Sequence, residues 1–305
     1  MTKIEWVKNS DGTSGQTWNP LAGCTIKSPG CTNCYAMKMA KRCEAMGIEK
    51  YAGTTMTVKG KAVWTGKINF DEKALFAPLK RKKPTMYFVN SMSDLFHEDV
   101  PYEWIDKVFA VMALCPQHTF QVLTKRADRM RGYLSGFTCD GARRFHVTRA
   151  AETMMQKFFG GFDWPLKNVW VGVSVEDQKR ADERIPDLLA TPAAVRWLSM
   201  EPLLGPVDLT NVAGKVPEYG TSKAHGMDTL TPYNRILRPQ LDWIVVGGES
   251  GPGAREFDPD WARLIRDQCA EANVPFFMKQ MGGANKARMP EIPADLMVRE
   301  YPNVK

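Results

Sequence analysis

Along the 305 residues, short apolar runs alternate with longer stretches in which apolar and polar positions recur at helical spacing. The runs predict strands at Thr17–Asn19, Thr85–Val89 (TMYFV), His118–Leu123 (HTFQVL), Val169–Val173 (VWVGV), Val195–Leu198, Leu241–Val246 (LDWIVV) and Pro275–Met278 (PFFM). Strong helix formers over Tyr35–Met46 predict a helix that Gly47 stops. Further helices are expected at Phe70–Leu79, with Asp71 near its start, and at Pro101–Leu114, with proline in the first turn. Three more are expected at Ala127–Leu134, Gln178–Leu189 and Asp258–Ala272, the last capped by Asp258 with Pro259 at its first position. Residues 51–83 are otherwise less regular, and 136–167 read as an irregular or helical excursion. Residues 202–240, rich in Gly, Pro, Thr and Asn, read as an elaborated loop, and the tail 282–305 has no clear periodicity.

Strand followed by helix, repeated about seven times with apolar strands, implies an α/β fold with a parallel sheet and helical crossovers. A doubly wound sheet built for a dinucleotide would carry G-x-G-x-x-G early in the chain, and that motif is absent. A barrel instead places functional residues at the C-terminal ends of many strands. Asn19, Asn90 to Asp94, Lys125, Ser174, Glu176, Glu201, Glu249 and Lys279 all follow a predicted strand. The expectation is one domain over 1–305, a partial or full (β/α) TIM-type barrel with loop insertions.

Composition narrows the class further. With 44% hydrophobic and 25% charged residues the chain is that of a folded globular protein, not a disordered one. No apolar stretch approaches the roughly 20 residues that span a bilayer, and the N-terminus lacks a signal-peptide core, so a cytoplasmic protein is expected. The net charge of +7 and the pI near 9.0 suit a polyanionic partner. Part of the excess is local, in Lys80–Lys83, in Lys125–Arg131, and in Arg143, Arg144 and Arg149. With Trp64, Phe96, Tyr133 and Trp164 expected in loops, the pattern suits a nucleic acid or nucleotide substrate; a solvated charged face is the competing reading.

Seven cysteines do not resemble a disulfide framework in a chain this long. Cys24, Cys31 and Cys34 cluster as C-x6-C-x2-C, while Cys43, Cys115, Cys139 and Cys269 are scattered. Gly23, Pro29 and Gly30 let the intervening backbone fold back so that three thiolates can converge on a metal. Structural zinc asks for four ligands, and only the C-x2-C pair has its usual form. Histidine is absent before His97, and Cys43, on a predicted helix, reads as a small buried apolar residue. A four-iron, four-sulfur cluster on three cysteines leaves one iron open to a cosubstrate such as S-adenosylmethionine, SAM. A zinc-stabilised nucleic-acid-binding protein without catalysis stays open as the alternative, as does a degenerate barrel that serves another enzyme as partner.

The three cysteines at the top of the first strand, with the expected partial barrel, resemble the radical SAM superfamily. More closely, I-E-W at 4–6, W-N-P at 18–20, G-C at 23–24, S-P-G-C-x2-C-Y-A at 28–36 and V-G-G-E-S-G at 246–251 resemble a phage-associated three-cysteine family of unassigned function. N-C-Y-A and the L-T-K-R after the third strand are similar to elements of the spore photoproduct lyase branch, which repairs DNA. The first cysteine gap here is six residues where most of the superfamily has three, and Tyr35 follows the third cysteine instead of preceding it. The resemblance implies an iron-sulfur enzyme with SAM as cofactor, an electron donor as partner, and Cys24, Cys31 and Cys34 as cluster ligands. It implies Asn90, Ser91 and Asp94 for the SAM amino group, Ser174 or Glu176 for its ribose, and Lys125 or Arg126 for its carboxylate. Glu201, Glu249 and Lys279 would face substrate as catalytic candidates, with an ion pair between any two of them as the competing role.

Overall fold

The computed structural model describes residues 4–138, 141–213, 227–230 and 240–303. The strands are β1 Gln16–Trp18, β2 Leu21–Ala22, β3 Thr55–Val58, β4 Lys61–Trp64, β5 Asn69–Phe70, β6 Met86–Val89, β7 Thr119–Thr124, β8 Val169–Ser174, β9 Val195–Met200, β10 Trp243–Gly247 and β11 Phe276–Gln280. The helices are α1 Tyr35–Ala45, α2 Glu72–Leu75, α3 Tyr102–Leu114, α4 Ala127–Ser135, α5 Ala142–Met155, α6 Gln178–Leu189 and α7 Pro259–Ala272. Seven strands form one sheet in the order β1-β6-β7-β8-β9-β10-β11, and the pairings β1–β6, β6–β7, β9–β10 and β10–β11 are parallel. Chain order and sheet order coincide, as in the wall of a (β/α) barrel, and β1 and β11 are its two edges. This is the expected α/β, partial-barrel sheet; closure to a full barrel is not seen among the described residues.

All seven predicted strands are present, each within one or two residues of its expected limits. Asp258 caps α7 by accepting from Asp260 N, with Pro259 at the first helical position, as its sequence requires. The helix expected over Phe70–Leu79 is shorter. Asp71 caps α2 through Ala74 N at 2.9 Å, but Pro78 cannot continue a helix that needs its missing N–H, and a 3-10 turn follows at Pro78–Lys80. Pro101 precedes α3 as its cap instead of lying in its first turn. The antiparallel hairpin β3–β4 lies within the stretch whose pattern is irregular, and α5 occupies half of the 136–167 excursion. Of the expected loop 202–240, residues 214–226 and 231–239 lie outside the described residues, as does Cys139.

The chain forms two compact units. In the first, Met1–Lys27, Cys34–Trp170 and Pro192–Ala194, the register rows alternate faces: Trp18, Val89 and Val122 share one, Thr17, Phe88 and Gln121 the other. Trp18 donates from Nε1 to Ala74 O at 2.8 Å, and α3 buries Ile105, Val108, Phe109 and Met112 completely. Ala36, Met37 and Ala40 of α1 pack with Tyr51, Trp64 and Met92, and Cys24, Cys34 and Cys43 lie partly buried against that cluster.

In the second unit, Ser28–Asn33, Val171–Thr191 and Val195–Lys305, Trp197 and Trp243 are register partners and α7 buries Ile265 and Cys269. The tail adds 3-10 turns at Lys286–Arg288 and Ala294–Leu296, and Glu300 O accepts from Trp243 Nε1 at 2.9 Å.

Gly172 of β8 lies against the indole of Trp197, and a Cβ there would stand 2.6 Å from ring atoms. Gly172→Ala is therefore expected to cost about 1–3 kcal/mol by overpacking. Gly205→Ala, with open space around the added carbon, should stay within about 0.5 kcal/mol. Urea denaturation of the two variants checks the difference.

Candidate functional site

The cysteine loop is fastened by buried charge. In the first unit Cys24 follows β2 and Cys34 immediately precedes α1; both are outside any disulfide and half-buried. Beside Cys24, Thr25 Oγ1 accepts from Arg126 Nη2 at 2.6 Å and lies 2.9 Å from His97 Nε2. His97 Nδ1 accepts from Asp99 N at 3.1 Å, so the ring proton sits on Nε2 and is donated to Thr25. Burial, with Arg126 nearby, holds His97 below its ordinary pKa and hence neutral.

Arg126 is 2% exposed. Nη1 donates to Asp94 Oδ2 at 3.0 Å, Nε to Glu98 Oε2 at 2.6 Å, and Nη1 also approaches Cys24 Sγ at 4.0 Å. Burial opposes the guanidinium charge, but Asp94, Cys24 and Glu98 outweigh it and the pKa rises. For Glu98, burial works to raise the carboxyl, yet hydrogen bonds from Arg126 and Lys27 win and lower it to about 2. The third cysteine is secured through its neighbour, since Tyr35 donates from its hydroxyl to Ser91 O at 2.8 Å.

The loop tip, Ser28–Asn33, belongs to the second unit. Ser28 donates from Oγ to Glu176 Oε1 at 2.6 Å, and Glu176 Oε2 accepts from Arg184 Nη1 at 2.9 Å. Glu176 has no solvent exposure, so this pair is a buried one. A Cβ on Gly30 would stand 2.4 Å from Glu176 Oε1; only glycine lets the carboxylate reach Ser28. Asn33, between the second and third cysteines, donates from Nδ2 to Glu249 Oε2 at 3.0 Å and to Gly253 O at 2.8 Å. Arg255 grips Glu249 with Nε at 2.9 Å, Nη2 at 2.5 Å and its backbone N at 2.9 Å. Burial would raise the Glu249 carboxyl, but Arg255 and Asn33 together hold it below the ordinary carboxylate range. Cys31, 8% exposed, sits inside this fastening.

The predicted site residues thus divide by how much bonding capacity they retain. Asp94 accepts from Phe96 N, Thr124 Oγ1, Lys125 N and Arg126 Nη1, which takes up both oxygens. Glu176 and Glu249 are spent on the loop and its arginines. Glu201 and Lys279 form an ion pair with each other, both partly exposed, and Gln280 also reaches Glu201. Ser91 donates from Oγ to Asn19 Oδ1 at 3.1 Å. Asn90, at φ 56°, accepts at Oδ1 from Leu21 N, while its buried Nδ2 has no hydrogen-bond partner. Ser174 is buried at the end of β8, and Lys125 is half-buried.

Residues that the pattern did not nominate are Thr25, Ser28, Asn33, His97, Glu98, Arg184 and Arg255. Their partners lie 2 to 220 positions away, and among the carboxylate–arginine pairs two are local: Arg184 stands eight residues beyond Glu176 and Arg255 six beyond Glu249.

Two expectations about the surface need correction. Trp64 lies on β4 and is 7% exposed, while Phe96 and Tyr133 are fully buried, because each ring fills a core that the hairpin, α3 or α4 completes. Trp164 stacks on Phe137 at 3.9 Å. The basic run after β7 is in part structural too: Arg126 is buried and Arg129 donates to Val100 O.

Among the described residues, no three of His, Cys, Asp and Glu are gathered as ligands of a single metal ion. A four-iron cluster makes a different demand, one cysteine on each of three separate irons. The chain carries three cysteines on the one fastened loop, none of them in a disulfide. Among the described residues no helix is long and apolar enough to cross a membrane.

Ser28→Ala and Asn33→Ala should each loosen the tip and speed alkylation of Cys31, read by mass spectrometry. Cys269, buried with its thiol pushed up to about 12, should stay unmodified in the same samples. A second expectation concerns acid. Glu98 has its folded pKa depressed, so its contribution is present above the ordinary value of 4.5 and is lost as pH falls from there through about 2. Urea midpoints over that window should fall more steeply for the native protein than for Glu98→Gln.

No curated protein and no solved structure matches the chain. One family model does, over residues 1–302, and its description is "Protein of unknown function (DUF5131)". That match spans the I-E-W, W-N-P, three-cysteine and V-G-G-E-S-G elements, and the chain belongs to the DUF5131 family.

Proposed function

We propose that this protein is an iron-sulfur enzyme of the radical SAM type, with Cys24, Cys31 and Cys34 holding a four-iron, four-sulfur cluster. The observation that carries the reading is the fastening of a three-thiol loop by four separate groups, Arg126, Glu176, Glu249 and Ser91. A loop needing no ligand geometry would not repay two buried carboxylates and a buried guanidinium, each expensive to desolvate. A reduced cluster held by these three cysteines would supply one electron for the reductive cleavage of SAM to methionine and a 5′-deoxyadenosyl radical able to abstract a substrate hydrogen.

The chain's own residues orient and shield. Arg126 presents N–H groups toward Cys24 Sγ and Thr25, which favours the thiolate form that a metal requires. Glu176 and Glu249 act as positioning residues for Ser28 and Asn33. Asn90 Nδ2 is an unspent buried donor, and a donor suits the SAM carboxylate better than its ammonium. Lys125 remains the cationic candidate for the same carboxylate, and Ser174 the hydroxyl candidate for ribose. Lys279 and Glu201, ion-paired at a partly exposed position, are the acid–base candidates toward substrate.

Anaerobically purified protein should be brown and carry about four iron and four sulfide per chain. Cys31→Ala should abolish both while leaving a folded chain, and Cys269→Ala should change neither. Colourless protein with stoichiometric zinc would replace this reading with a structural metal. With reduced protein, deoxyadenosine formation from SAM separates an enzyme from a cluster-bearing partner protein.

A further inference from the structure

Three of the four aromatic rings expected to meet a nucleic acid are buried and the fourth, Trp164, is stacked on Phe137, but two other rings are left in water. Phe158 is 85% exposed and Phe145 62%, the most open aromatic rings among the described residues. Both belong to one surface. On α5, Phe145, Arg149 and Thr153 stand at i, i+4 and i+8 and share a face, while Val147 and Ala151 turn inward and are fully buried. Just past the helix end, a cleft is lined by Arg149, Glu152, Thr153, Lys157 and Phe158. In chain order this surface therefore presents ring, cation, cation, ring. From Phe145 to the end of α5 at Met155 the helix rises about 15 Å, a span that several nucleotides of single strand would cover.

The charge is right for phosphate. From Arg143 to Lys167 five cations stand against two carboxylates. Arg143 is committed to Asp106 at 3.1 Å, but Arg149 is 67% exposed along its side chain and Lys157 is exposed. Glu152 pairs with Arg149 at 2.8 Å and is the one carboxylate in the cleft; a phosphate would displace it. A membrane fits less well. Between the two rings the outward face is Arg, His, Thr, Gln and Lys, without the continuous apolar stripe that inserts into acyl chains. A duplex fits less well too, since a solvent-facing ring can stack only on a base that is not already stacked on both sides.

We propose that the outer face of α5 and its cleft bind single-stranded nucleic acid, with Phe145 and Phe158 stacking on bases and Arg149 and Lys157 contacting phosphates. The site needs no cluster for binding, and it gives the proposed radical chemistry a polymer on which to act.

The test is fluorescence anisotropy of the full chain with labelled oligo-dT and oligo-U of about 12 nucleotides at low salt. Phe145→Ala combined with Phe158→Ala should weaken binding at least about tenfold. Arg149→Glu with Lys157→Glu should weaken it as well and flatten the salt dependence by about 1.4 in log–log slope, two phosphate contacts' worth. Glu152→Gln should tighten it. Lys80→Glu with Lys82→Glu, on exposed lysines outside this surface, should leave affinity within about twofold of the native value. The substituted residues are exposed apart from the half-buried Glu152, and circular dichroism verifies that each variant is folded. Absent binding of either oligonucleotide, α5 variants that bind like the native chain, or binding to phosphatidylserine vesicles in place of oligonucleotides would each overturn the proposal. The same titration on Cys31→Ala keeps the two readings apart: retained binding with lost iron supports this site whatever the metal result.

Discussion

A carboxylate cut off from water must find its hydrogen bonds inside the protein, and Glu176 finds them in the cysteine loop. With no solvent exposure it accepts from Ser28 and from Arg184, so folding of the second unit brings loop tip, strand end and α6 into one network. Removing Arg184 leaves a buried charge uncompensated, a loss of about 3–5 kcal/mol, whereas removing the Ser28 hydroxyl costs one hydrogen bond to a charged group, about 1.5–3 kcal/mol. Gly30 follows from the same constraint, because a methyl group there would occupy the place of the carboxylate. The S-P-G-C order of the loop is thus a packing requirement as much as a ligand motif. Glu249 repeats the device with Asn33 and Arg255, and this gives the late G-G-E element a role: it holds the residue between the second and third cysteines.

The first unit solves the same problem with the opposite charge. Arg126 is buried among Asp94, Glu98 and Thr25, and its N–H groups face the sulfur of Cys24. A cation beside a thiol favours the thiolate, while the two carboxylates keep the guanidinium itself from standing alone. His97, neutral and fixed in one tautomer, closes the remaining side of Thr25. The consequence for the reading of the site is that charged residues after the strands are mostly structural supports of the loop. The buried side-chain nitrogen of Asn90, by contrast, keeps an unmade hydrogen bond.

The surface that meets the outside world is separate in kind. Phe145 and Phe158 carry no structural duty that burial would reveal, and their neighbours Arg149 and Lys157 are cations in water. The binding proposed there would depend on stacking and counterion release, whereas the loop depends on desolvated hydrogen bonds. The two therefore respond differently to salt.

By itself the sequence determined the seven strands, the parallel α/β class and the C-x6-C-x2-C loop, because side-chain alternation, helix caps and cysteine spacing are local properties of the chain. It also placed Asp258, Pro259 and Asp71 at helix starts for the same reason. It did not determine which polar residues are ligands and which are struts. Glu176, Glu249, Asp94 and Arg126 look alike at strand ends, and only the tertiary structure decided that their hydrogen bonds are already spent. Nor could spacing tell a buried ring from an exposed one: Phe96 and Tyr133 are sealed by elements distant in sequence, while Phe145 and Phe158 stay exposed among the described residues. Burial is set by long-range packing, and partner choice for a polar group follows from burial, so both were settled only when the chain closed on itself.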